Sequence, residues 1–182
     1  MMNPLVHRLP NELKVGHKAI IVKTSHRRWL QVARLLDEYK PDFTKIQIAL
    51  IALGIDDELD ESIMNQVSWF LAAGDESPTT KSGKRVFCWE QDAHRVVAAF
   101  QHDYQIDLTD PKTVLHWWRF CYLFRGLSAE NDVMQAIRWR STPKPKGKHA
   151  EEERKQWSAM QKAYKLYPRS KEEAVALADR EF

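Results

Sequence analysis

The segment from Val114 to Gly126, VLHWWRFCYLFRG, constrains the fold more than any other stretch of the chain. On a helix, its Val114, Leu115, Trp117, Trp118, Cys121, Tyr122 and Phe124 side chains cover nearly the whole circumference. A helix that is apolar on all sides is stable only when other elements surround it. Thr109 or Asp110 is expected to cap it, with Pro111 in the first turn, where the missing N–H costs nothing; Gly126 ends it. This places the helix at the centre of a core to which Trp29, Phe100, Trp117, Trp118, Cys121 and Phe124 contribute.

Around that centre the sequence predicts a mainly α fold. Leu13-Lys14-Val15 and Ala19-Ile20-Ile21-Val22 flank Gly16-His17 and read as an N-terminal β-hairpin. A hairpin alone is marginal, so support is expected from the next helix, His26 to Tyr39, which Thr24 or Ser25 can cap and Pro41 stops. Helices follow over Thr44 to Leu53, ended by Gly54, and Leu59 to Ala73, ended by Gly74. Glu76 to Arg85 is polar and reads as a surface loop. Asp92 to Tyr104 is the next helix, and Ser128 is expected to cap another that ends near Arg140. The result is a compact helical domain of about six helices over residues 1–140. The basic joint Ser141 to Lys148 then leads into a basic helical C-terminal extension, residues 141–182. There Ala150 to Leu166 is a charged helix, and Ser170 with Glu173 forms a capping box for a short last one.

Composition excludes several classes. The longest apolar run, Ile46 to Ile55, is too short to span a bilayer, and Met1 to Pro10 has no signal-like stretch. An intracellular protein away from membranes is expected. Cys88 and Cys121 sit among aromatic residues, without CxxC or Cys/His spacing, as small buried hydrophobes do. The formal charge of +3 hides an asymmetry. Residues 42–76 carry eight acidic residues against one basic, whereas Arg138 to Lys171 carry eleven basic against three acidic.

No phosphate-binding glycine loop, GxSxG elbow, HExxH or calcium loop is present. His94, His102-Asp103 and His116 are the remaining enzyme candidates. None has a nucleophile or acid–base partner at defined spacing, so a helix-edge histidine bonded to a carbonyl is the expected reading of His116. No catalytic set, cofactor or metal is expected. Trp29, Trp69, Trp117 and Trp118 lie on apolar stripes, whereas Trp139 and Trp157 lie among charges. The basic extension admits nucleic-acid binding, but its lysines alternate with Glu, Gln and Ala as on an ordinary wet helix.

Four segments carry a family resemblance: Ser25 to Leu30 (SHRRWL), Ala98 to Leu108 (AAFQHDYQIDL), Leu115 to Ser128 (LHWWRFCYLFRGLS) and Met134 to Ser141 (MQAIRWRS). Together they resemble the bacteriophage gene-product-fifteen family of tailed phages and prophages, from Leu5 to about Tyr167. The resemblance implies no catalytic residues. Genes of that family usually lie between those for the major tail protein and the tape-measure protein, the position of tail assembly chaperones. It therefore implies a tail assembly chaperone or adaptor for the tape-measure protein, acting in the host bacterial cytoplasm. Its partners would be phage tail proteins: the tape-measure protein, the tail-tube protein or another chaperone. The alternatives are a structural component of the virion tail and a nucleic-acid-binding protein using the basic C-terminal region.

A protein guarding amphipathic helices needs an adaptable apolar edge with steering charges. Met134, Trp139, Arg140, Trp157, Met160 and Tyr164 are the candidate partner contacts. The competing reading is that they dock the C-terminal helix onto the body.

Overall fold

The computed structural model describes residues 3–75, 85–147 and 150–178. In chain order its elements are β1 (Glu12–Val15), β2 (Lys18–Ile21), α1 (His26–Leu36), α2 (Phe43–Leu53), α3 (Glu61–Leu71) and α4 (Ala93–Tyr104), followed by α5 (Trp117–Arg125), α6 (Asp132–Ser141), α7 (Glu151–Ala163) and α8 (Lys171–Ala178). The fold is mainly α, as the sequence predicts, with one antiparallel hairpin. Two compact units are built from separate stretches: Met1–Thr79 with Asp107–Gly126, and Thr80–Ile106 with Leu127–Phe182. The loop expected over Glu76 to Arg85 falls, up to residue 84, outside the described residues, as do residues 148–149 of the basic joint.

In the first unit, Gly16 adopts φ +58° at the hairpin turn and pairs Val15 with Lys18. Leu13, Ile20 and Val22 are buried. The hairpin leans on α3 rather than on α1, and the Lys14 N–H donates to Gln66 Oε1 at 3.2 Å. The reason is that α1 spends its apolar stripe elsewhere. Its Trp29, Val32 and Leu35 are buried, and the helix packs on α2 and α5. The helix also ends at Leu36, short of the Tyr39 expected from sequence.

Asp42 starts α2 by accepting the N–H groups of Thr44 and Lys45, and Gly54 ends it in the left-handed region. Asp60 caps α3 through the Ile63 N–H. Beyond α3, Gly74 has φ +73° and lies so close to Trp118 that a Cβ there would sit 2.6 Å from the indole.

The central helix begins later than its local cap signal suggests. Asp107 and Asp110 accept N–H bonds from Thr109 and Lys112, so Thr109 to Pro111 form turns and not a helix start. Leu115 and His116 run extended beside Thr24 to His26. The helix starts at Trp117, capped by the His116 ring, whose Nδ1 accepts the Trp118 N–H at 3.1 Å. Trp117, Trp118, Phe120 and Cys121 are buried, and Phe124 is half-buried. Trp29 stacks on Phe70 at 4.3 Å between ring centres, and the half-buried Trp69 meets Trp118 edge-on at 5.0 Å.

In the second unit, α4 packs on α6 and α6 on α7. Phe100 is buried on α4. Asn131, not Ser128, is the residue before α6. Ser128 is one turn too early because Asp103 at the end of α4 accepts both its N–H and the Asn131 side-chain amide. At α8, Ser170 Oγ accepts the Glu173 N–H, but the Glu173 carboxylate turns to the N–H and guanidinium of Arg169.

Candidate partner-binding site

The six candidate contact residues all belong to the second unit: Met134, Trp139 and Arg140 lie on α6, Trp157 and Met160 on α7, and Tyr164 directly after it. Arg140 is 5% exposed and Asp92 0%. Two guanidinium nitrogens of Arg140 meet the two Asp92 oxygens at 2.7 and 2.9 Å, a bidentate pair. Arg140 also donates to the Val86 carbonyl at 3.1 Å and, through Nε, to the Tyr164 carbonyl at 2.5 Å. One side chain thus ties together the stretch before α4, α6 and the end of α7.

Asp92 is held as firmly from its own side. Its carboxylate accepts the Cys88 N–H at 3.0 Å and a bond from Arg95 at 3.1 Å. Burial alone would raise its pKa, but the Arg140 hydrogen bonds, the Cys88 amide and the neighbouring guanidinium charges outweigh that and hold it below the usual range.

The seam continues with Trp157, whose indole N–H donates to the Thr142 carbonyl at 2.9 Å. Gln161 donates to the Trp139 carbonyl. The Tyr164 hydroxyl donates to Asp132 at 2.8 Å, and Arg95 lies over its ring at 5.6 Å. Burial, then the bond to Asp132, pushes the Tyr164 phenol upward. Met134, Trp139, Trp157, Met160 and Tyr164 are half-buried. Past the helix, Tyr167 exchanges bonds with Gln91, its N–H donating to Oε1 and its carbonyl accepting from Nε2, both at 2.9 Å. These contacts fasten α7 within the unit. For an incoming partner they leave the outer parts of the five half-buried side chains, bordered by the exposed Arg138, Lys155, Lys162 and Lys165.

Sequence reasoning missed a second apolar surface, on α2 in the first unit. Ile46, Leu50 and Leu53 face inward, yet Phe43, Ile48 and Ile51 are 65%, 62% and 50% exposed. Exposed large apolar side chains clustered on one helix mark contact sites more often than scattered ones do. The signal was available: the apolar residues Phe43, Ile46, Ile48, Leu50, Ile51 and Leu53 spread over more of the helix than one buried stripe.

The candidate histidines His94, His102 and His116 are structural or exposed. His116 Nε2 donates to the Pro10 carbonyl at 2.9 Å, the carbonyl-bonded reading expected of it. His102 meets Asp103 at 2.8 Å, and His94 is exposed. Cys88 and Cys121 are buried free thiols, and burial pushes Cys121 up to about 12. Among the described residues no cluster of three His, Cys, Asp or Glu is placed to hold a metal, and no helix is long and apolar enough to cross a membrane.

The model of the family described as Bacteriophage Gp15 protein matches residues 5–166. No curated protein and no solved structure is significantly similar to the chain.

Proposed function

The chain belongs to the bacteriophage Gp15 protein family, a family of structural or morphogenesis proteins, and on that premise we propose that it is a tail assembly chaperone or adaptor. Its client is the tape-measure protein, which it keeps soluble in the host cytoplasm while tail-tube subunits polymerise. It works by protein contacts, without catalysis or cofactor.

The observation that carries this reading is exposed apolar surface on a rigid element. The α2 face presents Phe43, Ile48 and Ile51 to water, while Ile46, Leu50 and Leu53 hold the helix to its unit. A long amphipathic client has the matching chemistry, apolar residues at i, i+3, i+4 and i+7 along one helix face. Covering these side chains contributes roughly 25 cal/mol per Å² of apolar surface removed from water. The half-buried edge of Met134, Trp139, Trp157, Met160 and Tyr164, with Arg138 and Lys162 beside it, is a second contact for acidic stretches of the client.

Co-expression with the cognate tape-measure protein tests this. We expect the tape measure to stay soluble and to co-purify, and Ile48→Lys with Ile51→Lys to abolish both while leaving the chain's own unfolding transition in place. A tape measure that aggregates equally with and without the wild-type chain contradicts the proposal. Salt-dependent binding of DNA or RNA at micromolar protein would favour the basic C-terminal region as a nucleic-acid surface instead.

A further inference from the structure

In the first unit, α1 and α5 start against each other through a pair of histidines. Ser25 and His116 form an isolated antiparallel bridge. The His26 N–H donates to the Leu115 carbonyl at 2.9 Å, and the Trp117 N–H donates to the Thr24 carbonyl at 2.7 Å. The two rings complete the junction. The Leu115 N–H donates to His26 Nδ1 at 3.2 Å, and the Trp118 N–H donates to His116 Nδ1 at 3.1 Å. His116 Nε2 reaches the Pro10 carbonyl at 2.9 Å. Each Nδ1 is therefore an acceptor, a role only the neutral imidazole can fill.

Burial outweighs the one backbone contact at each ring that favours an imidazolium, Leu115 at His26 and Pro10 at His116. His26 is buried and stacks on Phe120 of α5 at 5.6 Å. His116 lies half-buried beside Phe70 of α3 at 6.1 Å. The α2 side chains turned toward the core are Ile46, Leu50 and Leu53, all uncharged. Arg27 is the charged group acting on His26, and its own guanidinium is bound to the Leu108 and Asp110 carbonyls. Among the described residues, no ion pair joins either ring. Burial pushes both rings below the ordinary histidine range, with Arg27 adding to the effect at His26.

We propose that His26 and His116 form an acid-released clasp: neutral rings lock the start of α5 onto α1, and their protonation frees it. A proton on Nδ1 turns the acceptor into a donor aimed at a backbone N–H, so the bonds from the Leu115 and Trp118 N–H groups are lost and at each ring two donors are left facing each other. The residues that follow are Trp117, Trp118 and Phe120, all buried in the unit's core. Release therefore opens the aromatic centre from one end. Both folded-state pKa values are depressed, so the clasp has its full strength above the unfolded histidine value of about 6.5. Strength is lost as pH falls below that value, down to the folded-state pKa of each ring.

Amide hydrogen exchange on the intact chain, at about pH 7.5 and about pH 5.5 and corrected for intrinsic rates, reads the clasp directly. Protection of the His26, Leu115, Trp117 and Trp118 amides is expected to fall by about tenfold per histidine for each pH unit below 6.5. His116→Asn keeps a side-chain oxygen that can cap the Trp118 N–H but carries no titrating group, so it should remove about half of that pH dependence on a logarithmic scale. Ring titration by NMR on the wild-type chain gives a reading that needs no variant to fold, with both rings expected to stay neutral below the ordinary histidine range. Corrected protection that does not change with pH, or either ring titrating at an ordinary value, would overturn the clasp. So would a folded His116→Asn chain that retains the full pH dependence.

Discussion

Asp92 and Arg140 are 48 residues apart in sequence, and each would be costly to bury alone. Together they satisfy each other bidentately, with Cys88, Val86, Arg95 and Tyr164 taking the remaining donors and acceptors. Replacing Arg140 by Ala strands a carboxylate with no exposure to water. A loss of about 3–5 kcal/mol is expected, read as a lower denaturation midpoint. The same pair sets an acid limit. The folded pKa of Asp92 lies below its ordinary value, so its contribution is complete above about pH 4 and is lost as pH falls through the lower folded value. In Arg140→Ala that acid-dependent contribution should disappear. A sequence reading cannot see such a pair: Arg140 looks like one more charge in a basic stretch, and Asp92 looks like an ordinary helix start. Its burial follows from α4 packing on α6, which no local pattern encodes.

At the scale of elements, the glycine stops of α2 and α5 were legible, whereas the starts of α5 and α6 were not. Gly54 and Gly126 directly follow α2 and α5, where the sequence places them, because a glycine stop acts within one turn, whereas α3 already ends at Leu71, before Gly74. Gly74 has a further duty, since it admits the Trp118 ring. Gly74→Ala must bear both the positive φ and a Cβ 2.6 Å from the indole, whereas Gly16→Ala meets nothing within 4 Å. Gly16→Ala should therefore cost about 1–2 kcal/mol and Gly74→Ala clearly more, by urea denaturation of the two variants. The start of α5 was illegible for the opposite reason. Thr109, Asp110 and Pro111 have the chemistry of a helix start, but Leu115 and His116 are held extended by Thr24 and His26, which are remote in sequence. The hairpin's support by α3, through Gln66, was hidden in the same way. The α6–α7 seam was half legible: the apolar edge of Trp157, Met160 and Tyr164 was visible, and the carbonyls that Trp157 and Gln161 bind were not.

For the whole molecule, family membership places the chain among phage structural or morphogenesis proteins, and the exposed α2 face is the surface on which the proposed chaperone role rests. Met134, Trp139, Trp157, Met160 and Tyr164 contribute outer edges, while Arg140 is withdrawn into the clamp with Asp92. An assembly factor and a permanent tail component would both contact tail proteins, and they differ in whether the contact survives assembly. Quantitative mass spectrometry of purified virions, set beside lysate from the same infected cells, separates them. The chain is expected to be abundant in the lysate and absent from the particle. Recovery from virions at a fixed ratio to the tape-measure protein would contradict it.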